Sequence, residues 1–190
     1  MNTIENIAQL DLKSTAIAFM FAYEEQDMNR MMDFCDLNGE VWFRPLGEDG
    51  RGKIGELGKG LWSTLIDCFP NLRNTVDSAA LEPDGQVRCQ VMISGKQAKD
   101  FAGIVCKEQE FDSDHVFIFR HNSAGEIDQI HIEWNHADFQ KQLSWFGLGS
   151  KNQIYRLRIV EAFFLKLKVS DKGPLSILTS KIVKEPFLLS

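Results

Sequence analysis

The sequence predicts a single α+β domain in which helices pack on one face of a curved antiparallel sheet. Two observations favour this fold class. Apolar residues recur at helical spacing over most of the chain before Pro70, and from Leu72 onward they alternate as in strands. The chain has 190 residues, of which 44% are hydrophobic, so it can fill one core but not two of ordinary size. Helices followed by an antiparallel meander are typical of the α+β class.

Three helices are predicted before Pro70, each with an apolar face. The first begins near Asp11 or Ser14 and ends near Glu25. The second carries a stripe of three methionines and Cys35 at spacing i, i+3, i+4 and i+7. The third spans residues 54–69, although each of its glycines lowers helix stability by about 1 kcal/mol relative to alanine. We therefore expect this third helix to be buried against a wide apolar surface.

A strand at residues 40–44 precedes the third helix, and five more strands are predicted after it. These cover residues 72–81, 86–94, 100–107, 115–120 and 127–135, with a tight Asp84-Gly85 turn joining the first two as a hairpin. Three helices cannot fill the concave side of such a sheet, so we expect a mostly apolar cavity for a small hydrophobic ligand. Trp42 and Trp62 are predicted to line this cavity.

The charge of the chain changes sign near residue 150. Residues 1–150 contain 13 basic and 24 acidic side chains, whereas residues 151–190 contain eight basic and three acidic ones. We therefore predict a main domain at residues 1–148 and a basic, apolar C-terminal extension at residues 149–190. The extension fits a helix or a strand, and we expect it to pack on the domain or on a second copy. A basic amphipathic contact with a membrane is a minor alternative.

Composition argues against several other function classes. The net charge of -6 is unfavourable for nucleic-acid binding, and the N-terminal residues lack the pattern of a secretory signal. No zinc or redox spacing links the four cysteines, which we expect to be buried thiols in the cytoplasm. His131 and His136 are five residues apart, which fits no zinc or iron pattern, so no metal site is predicted. Phosphate-loop and nucleophile-elbow motifs are also missing.

Several local motifs follow one another in a set order over residues 12–148. They are Gly50-x-Gly52-x-Ile54, Phe69-Pro70-Asn71, Gly95, Asp100-Phe101-Ala102-Gly103-Ile104, Phe117-Ile118-Phe119-Arg120, Gly125-Glu126-Ile127, Trp134 with Asp138, and Gln142-Leu143. In this order they resemble the polyketide-cyclase-like (SnoaL-like) branch of the nuclear transport factor 2-like superfamily. The resemblance implies a cone-shaped NTF2-like (cystatin-like) barrel, usually a homodimer through the outer sheet face. It also implies cofactor-independent aldol ring closure on ketones.

In this family one aspartate acts as both acid and base and follows a tryptophan by four residues, which matches Asp138 after Trp134. Counting from Gly125 instead places the two family positions at His131 and Asn135. A carboxylate at the mouth of an apolar cavity would have a raised pKa and could exchange protons near neutral pH. The alternative role for Asp138 is to cap the helix that begins near it.

The other candidate site residues lie on the last two predicted strands. His131 and Glu133 share one strand face, and Ile132 and Trp134 share the other, so only one of these pairs can face the cavity. Both orientations remain open from the sequence alone, and Glu133 and Trp134 are both candidate lining residues. On the preceding strand His115 and Phe117 share a face and are further candidates.

His131, Asn135 and His115 are candidate hydrogen-bond donors to an oxyanion. For His115 a hydrogen-bonded histidine in the core is the alternative. The leading hypothesis is a cyclase or isomerase acting on a small hydrophobic ketone, with Asp138 as acid and base. The competing hypothesis is a non-catalytic ligand-binding or protein-interaction module on the same scaffold. It is favoured by Gln97, which stands where the family often has a histidine.

Overall fold

The computed structural model describes the backbone of residues 3–144 and the side chains of residues 12–144. The N-terminal part contains α1 (Thr3–Glu24), α2 (Met28–Asp33), β1 (Cys35–Phe43), β2 (Arg51–Lys53) and α3 (Lys59–Cys68). The C-terminal part contains β3 (Arg73–Leu81), β4 (Val87–Lys96), β5 (Glu110–His121), β6 (Ile127–Trp134) and α4 (His136–Ser144). A 3₁₀ segment (Arg44–Gly50) separates β1 from β2, and a π-helical turn (Ile54–Gly58) leads into α3.

The described strands form one curved, open sheet in the order β2-β1-β6-β5-β4-β3. β1 pairs in parallel with β6, and the other neighbouring strands are antiparallel. The predicted α+β class is confirmed, and the later antiparallel meander is present with four strands instead of the five predicted. The parallel pairing joins strands that lie far apart in the chain, so it could not be inferred from the meander alone.

The predicted hairpin between β3 and β4 is confirmed. Gly85 has a φ of 84°, and its backbone N–H donates to the Glu82 carbonyl at 3.0 Å. Left-handed backbone of this kind is open to glycine without steric cost, which explains the Asp84-Gly85 signal. The predicted third helix corresponds to the π-helical turn followed by α3, so its start and end agree with the prediction within one residue.

The first helix begins at Thr3, earlier than the start predicted near Asp11 or Ser14. Two further local predictions are wrong. Residues 100–107 do not form a strand, because Ala102 and Gly103 have positive φ and reverse the chain. The backbones of Phe101 and Ile104 hydrogen-bond to each other across this reversal, at 3.0 and 2.8 Å. In the second case, Cys35 begins β1 instead of extending α2, although it remains buried.

The core lies between the helices and the inner sheet face. Phe19 of α1 is fully buried and packs edge-to-face against Trp62 of α3 and Phe119 of β5. The expectation of buried thiols is correct for three cysteines, whereas Cys106 is only partly buried. None of the helices in the described part of the chain has the length and apolar character needed to cross a membrane.

Candidate functional site

A cavity of about 460 Å³ lies between the inner sheet face and the helices. The sheet contributes side chains such as Phe43, Ile93 and Ile132, and α3 contributes Leu61 and Trp62. No aspartate, glutamate, lysine or arginine of the described residues lines it. The lining is therefore apolar except for a few uncharged polar groups, and its volume is within the usual range for small-molecule sites.

Strand pairing determines which face of β6 points inward. Trp134 pairs with His115 of β5, and Ile132 pairs with Phe117 of β5 and with Phe43 of β1. These five side chains line the cavity. Ile132 is only 2% exposed, so the apolar face is the inner one, as expected when one face must be buried. The sequence left open which face of β6 borders the cavity, and the structure shows that it is the face with Ile132 and Trp134.

Four predicted lining residues are therefore at the cavity: Trp62, His115, Phe117 and Trp134. The other two, Trp42 and Glu133, are not among its lining residues, because alternation places them on the opposite sheet face.

That outer face carries a cluster of charged side chains around Trp42. The guanidinium groups of Arg44 and Arg51 lie 5.0 and 5.3 Å from the Trp42 ring centre. Arg44 donates to Glu133 at 2.7 Å, so Glu133 is an ion-pair partner on the outer surface.

His131 belongs to the same outer cluster and does not line the cavity. Its Nε2 lies 3.6 Å from a Glu40 carboxylate oxygen, and its ring meets Trp42 edge-on. Burial, reinforced by the nearby Arg44 charge, lowers the pKa of His131. The structure thus separates His131 from the cavity residues with which the sequence grouped it.

Asp138 and Asn135 lie at the start of α4, on its exposed side. The Asn135 side-chain oxygen accepts from the Asp138 backbone N–H at 3.1 Å, which is an N-cap interaction. The Asp138 carboxylate accepts from Gln142 at 2.8 Å, one helical turn later. An acidic group in the first turn interacts favourably with the helix dipole. Neither Asp138 nor Asn135 is among the cavity-lining residues.

His115 is the histidine whose geometry is best defined at the cavity wall. Its Nδ1 lies 2.9 Å from the Ser113 carbonyl oxygen, and its ring stacks on Trp134 with a centroid distance of 5.6 Å. A carbonyl can only accept, so Nδ1 carries the proton and Nε2 has a free lone pair. Burial lowers the pKa of His115 to about 4, which keeps the ring neutral at physiological pH.

The sequence reasoning missed Tyr23, His136 and Gln140 as lining residues. Tyr23 occupies an apolar position of α1, and burial raises the pKa of its hydroxyl above the ordinary value. Its position among apolar residues pointed only to the core. His136 packs edge-on against Trp134 and stacks on Phe139. His136 and Gln140 are polar residues next to the apolar face of α4. That position could have identified them as lining residues if the sequence had shown that α4 borders the cavity.

The loop between β4 and β5 forms another part of the cavity wall. Phe101, Ala102 and Ile104 line the cavity from this loop. Gln97 is 1% exposed, and its amide donates to the Ile104 carbonyl at 3.2 Å. This residue therefore holds the loop in place and does not itself line the cavity. Among the described residues no group of three or more His, Cys, Asp or Glu side chains is arranged to bind a metal.

No protein-family model matches the chain, and no curated protein matches it in sequence. Solved structures do match. A proposed SnoaL-like polyketide cyclase from Jannaschia sp. CCS1 has a TM-score of 0.64 at 18% identity, covering 73% of this chain and 94% of its own. This chain has a SnoaL-like fold.

Two further solved structures match the chain. AclR, a proposed hydroxylase from Streptomyces galilaeus, has a TM-score of 0.62 at 16% identity, covering 73% of this chain and 99% of its own. IdmH, a proposed polyketide cyclase from Streptomyces antibioticus, has a TM-score of 0.60 at 16% identity, covering 70% of this chain and 99% of its own. At these identities the similarity establishes the SnoaL-like fold, as the motif order in the sequence predicted.

Proposed function

We propose that this protein is a cofactor-independent enzyme of the cyclase or isomerase type that acts on a small hydrophobic ketone inside the cavity. The observation that carries the proposal is an apolar cavity that holds a neutral imidazole of fixed tautomer, His115, together with a tyrosine hydroxyl, Tyr23. The names of similar structures support the reaction class, because the Jannaschia protein and IdmH are both proposed polyketide cyclases.

In the proposed reaction the lone pair of His115 Nε2 removes a proton from the carbon next to the ketone. The electron pair of that C–H bond moves to the ketone oxygen, and the Tyr23 hydroxyl donates a hydrogen bond to the enolate. The enolate carbon then attacks a second carbonyl of the same molecule. In an isomerisation of an unsaturated ketone, the enolate is instead a dienolate, which is reprotonated at a different carbon. The proton on Nε2 returns to the product, so the enzyme ends in its original state.

The low pKa of free His115 limits its strength as a base. An enolate formed beside the ring favours the protonated imidazole, because opposite charges in an apolar site attract strongly. The basicity of His115 therefore increases along the reaction, while the apolar walls keep water away from the enolate.

This proposal moves the acid and base role from Asp138, where the family motif predicted it, to His115. The carboxylate of Asp138 accepts from Gln142 on the exposed side of α4. A base must come within hydrogen-bond reach of the proton that it removes. His115 lines the cavity, which supports this role for a ligand bound there.

The second candidate is a binding module without catalysis. It is favoured by the lack of any carboxylate among the described lining residues, since carboxylates are common bases for carbon acids.

Two experiments test the proposal. Mass spectrometry of the purified protein would first identify a bound small molecule, and ketones related to it would then be assayed for turnover. His115→Phe keeps an aromatic ring against Trp134 but removes the base, so we expect kcat to fall about 100-fold or more. Asp138→Asn should keep kcat within about twofold, because its hydrogen bond to Gln142 can be retained.

The opposite result would contradict the assignment. A large loss of kcat in Asp138→Asn with normal kcat in His115→Phe would support Asp138 as the acid and base. Ligand binding without turnover by the wild-type protein would favour the binding module.

A further inference from the structure

The polar groups of the cavity differ in what they can recognise. The Tyr23 hydroxyl, the Gln140 amide and the His136 ring can each donate or accept a hydrogen bond. The indole N–H groups of Trp62 and Trp134 can only donate. All of these donors can bind to an ether, ketone or hydroxyl oxygen, so they do not distinguish between these groups. A polar group that can only accept would distinguish them, because it requires an O–H or N–H on the ligand.

His115 is such a group. Its Nδ1–H is committed to the Ser113 carbonyl at 2.9 Å. The other tautomer would place a nitrogen lone pair against a carbonyl lone pair at this distance, which is repulsive. Stacking on Trp134, at 5.6 Å and 20°, holds the plane of the ring. Burial also disfavours the charged form, so Nε2 remains an acceptor at neutral pH.

The charge and shape of the lining restrict the ligand further. No described side chain with a formal charge lines the cavity, so a carboxylate or ammonium ligand would lose hydration without gaining an ion pair. Aromatic side chains line it from the sheet, the helices and the β4–β5 loop, including Phe43, Phe101, Phe111 and Phe139. Such walls favour flat rings, which can stack or pack edge-on.

We propose that His115 is a specificity-determining residue that selects an uncharged, ring-bearing ligand with a hydroxyl group, which donates to His115 Nε2. The inference rests on the proposed function only in assuming that the cavity takes up a small organic molecule. To the proposed function it adds a hydroxyl group on the ligand and assigns recognition of that hydroxyl to His115. The two proposals use the same Nε2 lone pair at different stages. In the proposed aldol closure, the hydroxyl at Nε2 is the one formed when the proton on Nε2 returns to the product.

Three naphthalenes of similar size test the inference by ligand-observed NMR titration of the full-length protein at pH 7. They are 2-naphthol, which has the hydroxyl donor, 2-methoxynaphthalene, which lacks it, and 2-naphthoate, which is charged. We expect 2-naphthol to bind about three- to tenfold more tightly than the ether, as one net hydrogen bond provides. We expect 2-naphthoate to bind most weakly.

Two variants assign the preference to one residue. His115→Phe should reduce the ratio of naphthol to ether affinity to about one. His131→Phe is the matched control, because His131 lies on the outer sheet face, and it should leave the ratio unchanged.

A measurement on the wild-type protein covers the case in which His115→Phe does not fold. The ¹⁵N signal of His115 Nε2 should be that of an unprotonated ring nitrogen and should shift on addition of 2-naphthol, but not of the ether. Equal affinities for naphthol and ether, tightest binding of naphthoate, or no binding of any of the three would each overturn the inference.

Failure of this inference can be separated from failure of the proposed function. Equal binding of naphthol and ether overturns the role of His115 in specificity, but a ketone could still be turned over. Conversely, a naphthol preference that depends on His115, without turnover of any ketone, overturns only the enzymatic proposal.

Discussion

Phe19 and Phe21 lie two residues apart on α1 but in opposite environments. Phe19 is 0% exposed and contacts Trp62 and Phe119, whereas Phe21 is 58% exposed. The helix turns by about 200° over two residues, so neighbouring positions with the same side chain face the core and the solvent. Because the two side chains are identical, substituting each in turn separates the effect of burial on stability from the effect of residue type.

Phe19→Ala should lower the free energy of unfolding by about 3–5 kcal/mol, because it removes a buried ring and leaves a cavity. Phe21→Ala should change it by less than about 1 kcal/mol. Urea unfolding followed by circular dichroism would measure both variants. Similar losses in the two variants would contradict the placement of α1 against the sheet.

His115 also links stability to pH. Its pKa is about 4 in the folded protein and 6.5 in the unfolded chain. Because the folded pKa is the lower one, the unfolded chain binds more protons, and stability falls as pH decreases from about 6.5 to about 4. Wild type should lose up to about 2 kcal/mol more than His115→Phe between pH 7 and pH 5.

Urea unfolding of both proteins at several pH values would check this difference. Other groups titrate equally in the two proteins, so the comparison isolates His115. Parallel pH profiles would mean that His115 is not buried in its neutral form.

At the scale of elements, the pairing of β1 with β6 depends on close backbone approach. A Cβ atom at Gly39 of β1 would lie 2.5 Å from the backbone oxygen of Asp128 in β6. At Gly85, in the β3–β4 turn, a Cβ atom would meet nothing within 4 Å. A side chain is disfavoured there only because the φ of 84° is left-handed. The two glycines are therefore required for different reasons, one steric and one conformational.

Gly39→Ala should lower the free energy of unfolding by about 3 kcal/mol, since neither backbone can move without breaking the pairing. Gly85→Ala should lower the free energy of unfolding by about 1 kcal/mol, because alanine adopts a left-handed backbone less readily than glycine. Hydrogen exchange should show faster exchange in β1 and β6 for Gly39→Ala only. Uniform exchange changes in both variants would contradict the local role of Gly39.

The β4–β5 loop shows where sequence periodicity fails at this scale. Phe101 and Ile104 suggested part of a strand, but they lie on either side of a reversal at Ala102 and Gly103. Ala102-Gly103 is not among the dipeptides, such as Asp-Gly, that identify a tight turn from sequence. By contrast, the Asp84-Gly85 signal identified its turn, because long alternating segments flank it.

At the scale of the whole molecule, the buried core runs from Ala16 to Leu143. The predicted extension at residues 149–190 lies outside the described residues, and its boundary remains a prediction. The homodimer implied by the family resemblance also remains a prediction.

A chain truncated after residue 148 should unfold cooperatively in urea, because the buried residues between Ala16 and Leu143 form one connected core. Light scattering of the full-length and truncated chains would give the oligomeric state of each. A truncated chain that fails to fold would contradict the predicted domain boundary. A change from dimer to monomer on truncation would mean that the extension packs on a second copy.

The sequence by itself determined the class of the fold, most helices and strands, and the apolar face of β6, because these depend on residues near one another in the chain. The tertiary structure decided which groups meet. Tyr23 and His115 come from α1 and β5 and share one cavity, whereas Asp138 lies on the exposed side of α4. Periodicity specifies the faces of an element, but only packing between distant elements determines which face encloses the cavity.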